Sequence, residues 1–144
     1  MFFDFYNFNI RRTTNTDFFA GKYKIMIHSS EFLAIVEEVM PRVREVSVDE
    51  TLRRMEQGAI LIDVREDNEW EAGHAKGAVH LGRGVIERDI VHLYPDKETE
   101  FVLYCGGGFR SALATDNLQK MGYTNVWSMA GGWAAWQERM KNEG

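Results

Sequence analysis

The sequence predicts an α/β fold: a single domain with a mostly parallel central sheet of about five strands and helices on both faces. Short continuous apolar runs at residues 59–62 and 101–104 are typical of strands that are buried on both sides. Segments with helical spacing of apolar residues alternate with such runs along the chain. The length of 144 residues is enough for one domain with one hydrophobic core.

The first predicted element is a helix over residues 30–40, which Ser29 or Ser30 can cap and which Pro41 ends. Apolar residues recur in this segment at helical spacing and predict one buried stripe. The stripe consists of Phe32, Ile35, Val36, Val39 and Met40. We expect this helix to be the first element of a domain that spans residues 26–144.

The second predicted helix begins at a capping-box pattern, in which Ser47 is followed three positions later by Glu50, and it stops at Gly58. The apolar run 59–62 predicts the first buried strand. A short helix is then expected over residues 67–72, closed by Gly73.

The middle of the chain predicts a brief strand at residues 78–81 and a helix that stops before Pro95. One face of that helix is formed by Ile86, Ile90 and Leu93. The run 101–104 predicts the next buried strand.

The last part of the chain predicts a helix that starts near Phe109 and ends before Gly122. A further strand is expected at residues 126–129, followed by a closing helix. The apolar side of that closing helix is formed by Trp133, Trp136 and Met140.

Residues 1–25 show no sustained helical or strand periodicity and are rich in aromatic side chains. Two interpretations remain open for this N-terminal tail. It is either a disordered extension that arises from an upstream start codon, or a segment that packs on the surface of a partner.

Composition narrows the classes of function. The net charge of −5 argues against nucleic acid and against an anionic membrane as the main partner. A single cysteine excludes an internal disulfide, and no apolar run approaches the length of a membrane span. We therefore expect a cytoplasmic protein. His28, His80 and His92 lack metal-ligand spacing, so we expect no metal and no cofactor.

The single cysteine, Cys105, is the strongest candidate for chemistry. It follows the apolar strand 101–104 and opens a glycine-rich segment with the sequence CGGGFRS, after which a helix begins. Glycines allow successive N–H groups to point inward, and a helix start adds free N–H groups and the positive end of its dipole. These features favour negative charge on the sulfur and so predict a nucleophile at the carboxyl end of a strand.

Further motifs accompany Cys105 in a fixed order, and together they resemble the rhodanese family of sulfurtransferases. The resemblance runs from about Val46 to Gln137. It is carried by the sequences DVRE at 63–66, EW at 69–70, GHAKGA at 73–78, the loop CGGGFR, GY at 122–123 and MAGGW at 129–133. Any one of these pieces is weak, whereas all of them in order in one short chain make a strong signal.

The resemblance implies that Cys105 takes a sulfane sulfur from a donor such as thiosulfate and passes it to a thiol or cyanide through a persulfide. A sulfur-carrier protein is a further candidate for a partner. The loop that would hold the persulfide consists of Gly106, Gly107, Gly108, Phe109 and Arg110. Four residues are expected to support this loop: Asp63, Arg65, Glu69 and His74. For Asp63, Arg65 and His74 a structural role is favoured over direct catalysis.

Two alternative functions use the same fold. One is a binding or regulatory module without catalytic activity, although family members of this kind often lack the cysteine. The other is a phosphatase or arsenate reductase, whose loop has five residues between cysteine and arginine. Here four residues separate Cys105 from Arg110, which favours transfer of a single sulfur atom.

Overall fold

A computed structural model describes residues 27–143, so the predictions for the N-terminal tail lie outside the described residues. The chain divides into two units between Glu38 and Val39. The described part of the first unit contains most of helix α1, Ser30–Val39. Ser29 Oγ accepts a hydrogen bond from the backbone N–H of Phe32 at 3.0 Å, which confirms one of the two predicted caps.

The buried face of α1 differs from the predicted stripe. Ile35 is 48% exposed, whereas Leu33 and Val36 are almost fully buried. The buried face of α1 is therefore rotated relative to the predicted one, with Leu33 in the place of Ile35. Val39 is buried as predicted, and a short 3₁₀ turn at Met40–Arg42 contains Pro41.

The second unit contains a five-stranded sheet in which every pair of neighbouring strands is parallel, in the order β1-β5-β4-β2-β3. This confirms the predicted fold class. A two-residue strand, β1, was not identified from the sequence, because two residues are too few to show a period. The elements are β1 Glu45–Val46, α2 Val48–Glu56, β2 Ile60–Asp63, α3 Asp67–Ala72, β3 Val79–His80, α4 Ile86–Leu93, β4 Phe101–Tyr104, α5 Phe109–Lys120, β5 Val126–Met129 and α6 Gly132–Glu143.

Strand β4 lies in the middle of the sheet, and its four residues are buried. Its side chains alternate between two apolar clusters. Phe101 and Leu103 belong to one cluster together with residues of α4 and α5. Val102 and Tyr104 belong to the other, together with residues of α2 and α6. Helices therefore cover both faces of the strand that precedes Cys105.

The predicted cap of α2 is present, since Ser47 Oγ accepts a hydrogen bond from Glu50 N at 3.0 Å. Helix α3 begins with a reciprocal capping box between Glu66 and Glu69, which fixes where Glu69 stands at the edge of the sheet. Within residues 27–143, no helix has both the length and the apolar character that crossing a membrane requires.

Candidate functional site

The carboxyl ends of the central strands bring the predicted site residues to one edge of the sheet. Cys105 directly follows β4, and Asp63 is the last residue of β2, in register with Tyr104. Strand β5 ends at Met129 on the other side of β4. In parallel sheets this edge is where ligands bind, and the strand order is what places these three loops side by side.

The Cys105 sulfur is buried but it is held by backbone amides. The residue is only 1% exposed, and Sγ accepts hydrogen bonds from Gly108 N at 3.1 Å and from Ser111 N at 3.3 Å. Gly108 has a φ of 106°, in the left-handed region that favours glycine, and its N–H is one of the two that donate to the sulfur. Two converging amides are an arrangement that favours a negatively charged sulfur.

Two serines extend this network, and neither is among the site residues predicted from the sequence. Ser111 Oγ lies 3.6 Å from Cys105 Sγ and 2.8 Å from Ser128 Oγ on β5, and both serines are fully buried. The signal that could have found Ser128 is a small polar residue inside an otherwise apolar strand. Such a residue needs a buried partner.

The start of α6 holds the Cys105 loop through backbone hydrogen bonds. The backbone N–H of Trp133 donates to the carbonyl of Cys105 at 2.7 Å, and that of Ala134 donates to the carbonyl of Gly106 at 3.2 Å. Gly132 makes this approach possible, since a Cβ at that position would collide with the Cys105 carbonyl oxygen. The turn at Gly131 and Gly132, where both residues have positive φ, therefore positions a helix N-terminus against the loop.

Arg110 pairs with Glu69 rather than standing alone at the helix start. Its Nη1 and Nη2 donate to Glu69 Oε1 and Oε2 at 2.8 and 3.1 Å. The hydrogen bond from Arg110 lowers the pKa of Glu69 to about 2, so this carboxylate is ionised at neutral pH. The guanidinium also lies against the loop, because a Cβ on Gly106 would be 3.1 Å from Arg110 Nη2.

Asp63 and Arg65 form a buried pair beside the loop. Arg65 Nη2 donates to Asp63 Oδ2 at 2.8 Å and to the Gly73 carbonyl at 2.7 Å. The Tyr104 hydroxyl also donates to Asp63 Oδ2, and it accepts a hydrogen bond from Ala75 N at 3.0 Å. Burial raises the pKa of Tyr104, which stays protonated as the donor. These bonds join the loop after β2 to the loop before β3 and hold the two loops together, which is a structural role.

His74 lies at the exposed end of α3. Its Nδ1 is 2.9 Å from the Trp70 carbonyl, and its ring stacks on the Trp70 indole with centroids 3.4 Å apart. The His80 ring lies nearly parallel to the same indole, and its Nε2 is 2.9 Å from the Arg65 carbonyl. His80 thus fastens α3 to β3 and to the loop after β2, whereas the bond and the ring contact of His74 are both made to Trp70 of the helix that it follows. Residues 27–143 contain no group of three or more candidate ligands that could hold a metal ion.

Comparison with known proteins agrees with this geometry. Residues 47–139 match the family model of the rhodanese-like domain. The chain is 31% identical to thiosulfate sulfurtransferase GlpE of Pseudomonas entomophila over 72% of this chain and 94% of that protein.

Two solved structures are also similar. The human single-domain sulfurtransferase TSTD1 has a TM-score of 0.60 and 30% identity, covering 67% of this chain and 97% of that one. A protein of unknown function from Rhodopseudomonas palustris, described as a possible tyrosine phosphatase, has a TM-score of 0.69 and 25% identity, covering 83% of this chain and 97% of that one. The family match spans most of the chain and includes the Cys105 loop, and the chain therefore belongs to the rhodanese-like domain family.

Proposed function

We propose that this protein is a sulfurtransferase in which Cys105 carries the transferred sulfur as a persulfide. The observation that carries the proposal is the pair of hydrogen bonds from Gly108 N and Ser111 N to Cys105 Sγ at the carboxyl edge of the sheet. We assign the activity to a domain of residues 26–144. Among the similar proteins above, GlpE and TSTD1 are both named as sulfurtransferases.

The proposed reaction is a double displacement. The Cys105 thiolate attacks the sulfane sulfur of a donor, a new S–S bond forms, and the donor's own bond to that sulfur breaks with its electron pair on the leaving group. With thiosulfate the leaving group is sulfite. The persulfide anion then loses its outer sulfur to a thiolate or cyanide, and the Cys105 thiolate is restored.

The loop supports this chemistry by stabilising charge on sulfur through donors that already point to Sγ. Pre-oriented backbone donors of this kind are typically worth about 2.7–4 kcal/mol each in the enzymes that use them. Gly106 and Gly107 carry no side chains, and both are partly exposed, which leaves an approach to the loop from solvent. We propose that the amides of the predicted loop, Gly106 to Arg110, face the outer sulfur once it is bound.

The acceptor must come from outside the chain. Cys105 is the one cysteine of the 144-residue sequence, so no second thiol can take the sulfur from it. We propose a small thiol, cyanide or the thiol of a sulfur-carrier protein as acceptor. Exchange of sulfur with thiols requires that they stay reduced, which is why we propose the cytoplasm as the location.

The decisive test is the intact mass of the protein after incubation with thiosulfate, mercaptopyruvate or a persulfidated protein. We expect the mass to increase by one sulfur atom with at least one donor, and to return to its original value when cyanide is added. Cys105→Ser should remain folded, as judged by circular dichroism, and should gain no sulfur. A wild-type protein that gains no sulfur from any donor would instead support a non-catalytic module.

The wild type and Cys105→Ser also distinguish a sulfurtransferase from a phosphatase. Hydrolysis of an aryl phosphate by the wild type that is lost in Cys105→Ser would support a phosphatase. We expect no such activity, because the loop from Cys105 to Arg110 is one residue shorter than the loop of that class.

A further inference from the structure

The charges of Arg110 and Glu69, beside the Cys105 loop, support a further inference, which rests on the proposed function. Arg110 is the cation nearest to Cys105 in the sequence, and a doubly charged donor such as thiosulfate would need it. Its guanidinium already forms a two-bond ion pair with Glu69, at 2.8 and 3.1 Å. Bidentate pairs of this kind are the strong, geometrically fixed ones.

Other charges near Arg110 are negative. Besides Glu69, the charges of Cys105 and Glu66 act on Arg110, and all of them favour its protonated form and so raise its pKa. The charge of Arg65 also acts on Glu69, but its guanidinium is buried and bonds to Asp63, whose carboxylate offsets it. One guanidinium therefore faces two carboxylates and the thiolate.

The pairing of Arg110 with Glu69 is also fixed by the elements that carry the two residues. Glu69 is held in the capping box of α3, where its Oε1 accepts from Glu66 N at 3.0 Å. Arg110 lies in the first turn of α5 and packs against the α-carbon of Gly106. Each partner is thus oriented before a donor arrives, and a donor would have to compete with a carboxylate already in place.

We propose that Glu69 is a specificity-determining residue, which offsets the charge of Arg110 so that Cys105 takes sulfur from donors with at most one negative charge. The natural donor class is then the persulfide of a thiol, and thiosulfate is a poor donor. In the step itself, Cys105 Sγ bonds to the outer sulfur of the persulfide, and the S–S bond of the donor breaks. The electron pair leaves on the donor thiolate, while the outer sulfur keeps its hydrogen or its negative charge.

The test compares two donors of similar shape that differ by one charge. Sodium methanethiosulfonate carries one negative charge and releases methanesulfinate, whereas thiosulfate carries two and releases sulfite. The rate constant for sulfur addition to Cys105 is measured by intact mass with each donor. The wild type should prefer methanethiosulfonate.

The Glu69→Gln variant removes the charge while its amide oxygen can still accept from Glu66 N. We expect the rate ratio of thiosulfate to methanethiosulfonate to rise about fivefold, the factor that corresponds to a partly exposed ion pair. Using the ratio cancels the different intrinsic reactivities of the donors. Asp89→Asn is the matched control, because Asp89 pairs with Arg88 through two bonds on α4, and its ratio should stay at the wild-type value.

Three results would overturn the inference. One is an unchanged ratio in a folded Glu69→Gln protein. Another is a fall in the thiosulfate rate constant of the wild type with increasing salt, since repulsion predicts a rise; this measurement needs no variant. A third concerns Arg83, which lies between β3 and α4 and whose backbone N–H donates to the Val64 carbonyl at 3.0 Å. Loss of thiosulfate addition in Arg83→Gln would assign donor binding to a cation outside the pair. Failure of both donors and of a persulfidated protein to add sulfur to the wild type overturns the proposed function itself, so the two failures are distinct.

Discussion

At the scale of single residues, the site combines a buried sulfur with two buried serine hydroxyls, which contact each other and, through Ser111, the sulfur. Cys105, Ser111 and Ser128 are all 1% exposed or less. Their side chains connect in a row from β5 through α5 to the loop. A buried hydroxyl needs a hydrogen-bond partner, and Ser128 is that partner for Ser111. The bond between them therefore fixes the orientation of the Ser111 hydroxyl.

Ser111→Ala should slow sulfur addition to Cys105 by about tenfold, and Ser128→Ala by a smaller factor, because the first removes a contact to Sγ and the second removes only its partner. Single-turnover measurements by intact mass give these rate constants. Thr115→Val is the matched control on the same helix. The Thr115 hydroxyl is buried without a hydrogen-bond partner, so its loss should leave the rate unchanged and stability equal or higher.

Equal rates in the wild type and Ser111→Ala would show that the hydroxyl row is structural. The backbone bond from Ser111 N is retained in this variant and would then be the contact that matters.

At the scale of elements, the loop depends on the close approach of α6. Two N–H groups at the start of this helix donate to the carbonyls of Cys105 and Gly106. These are free donors of a helix N-terminus, and here they are satisfied by the loop rather than by a capping side chain. Gly132 is the position where the two backbones come closest.

Gly132→Ala should destabilise the protein by about 1–3 kcal/mol and should lower sulfur transfer, since its Cβ would displace the loop. Thermal or urea unfolding measures the first effect and the mass assay the second. Gly84→Ala serves as the control, because a Cβ at Gly84 meets nothing within 4 Å. Similar unfolding curves for the two variants would contradict the close contact that the structure shows.

The sequence predicted most elements from their apolar spacing, with boundaries close to those observed. It missed β1 at Glu45–Val46, which exists because β5 supplies its hydrogen-bond partners. It placed Ile35 on the buried face of α1, where the structure places Leu33. In both cases the outcome depends on neighbouring elements, which local pattern alone does not contain.

At the scale of the whole molecule, the site depends on the order of the strands. Ser128 and Asp63 flank the Cys105 strand because β5 and β2 are its two neighbours in the sheet. The sequence indicated Cys105, its loop and the supporting residues from short motifs. It did not indicate the Arg110–Glu69 pair or the Ser111–Ser128 bond, because each joins residues far apart in the chain.

The core that supports this arrangement is centred on β4, so its side chains should dominate stability. Leu103→Ala should cost about 2–5 kcal/mol, since Leu103 is fully buried in the cluster between the sheet, α4 and α5. Leu93→Ala is the matched control, because Leu93 is 56% exposed, and its cost should stay within about 0.5 kcal/mol. Urea unfolding measures both, and comparable losses would contradict the central place of β4.

The bonds from α6 to the Cys105 loop also bear on how the protein is made. Cys105 precedes Gly132 in the chain, so a ribosome completes the thiol well before it completes the helix that secures its surroundings. A nascent polypeptide at that stage lacks the two donors that α6 supplies to the loop. We therefore expect the loop geometry on which the proposed persulfide depends to form only after α6 has been synthesised.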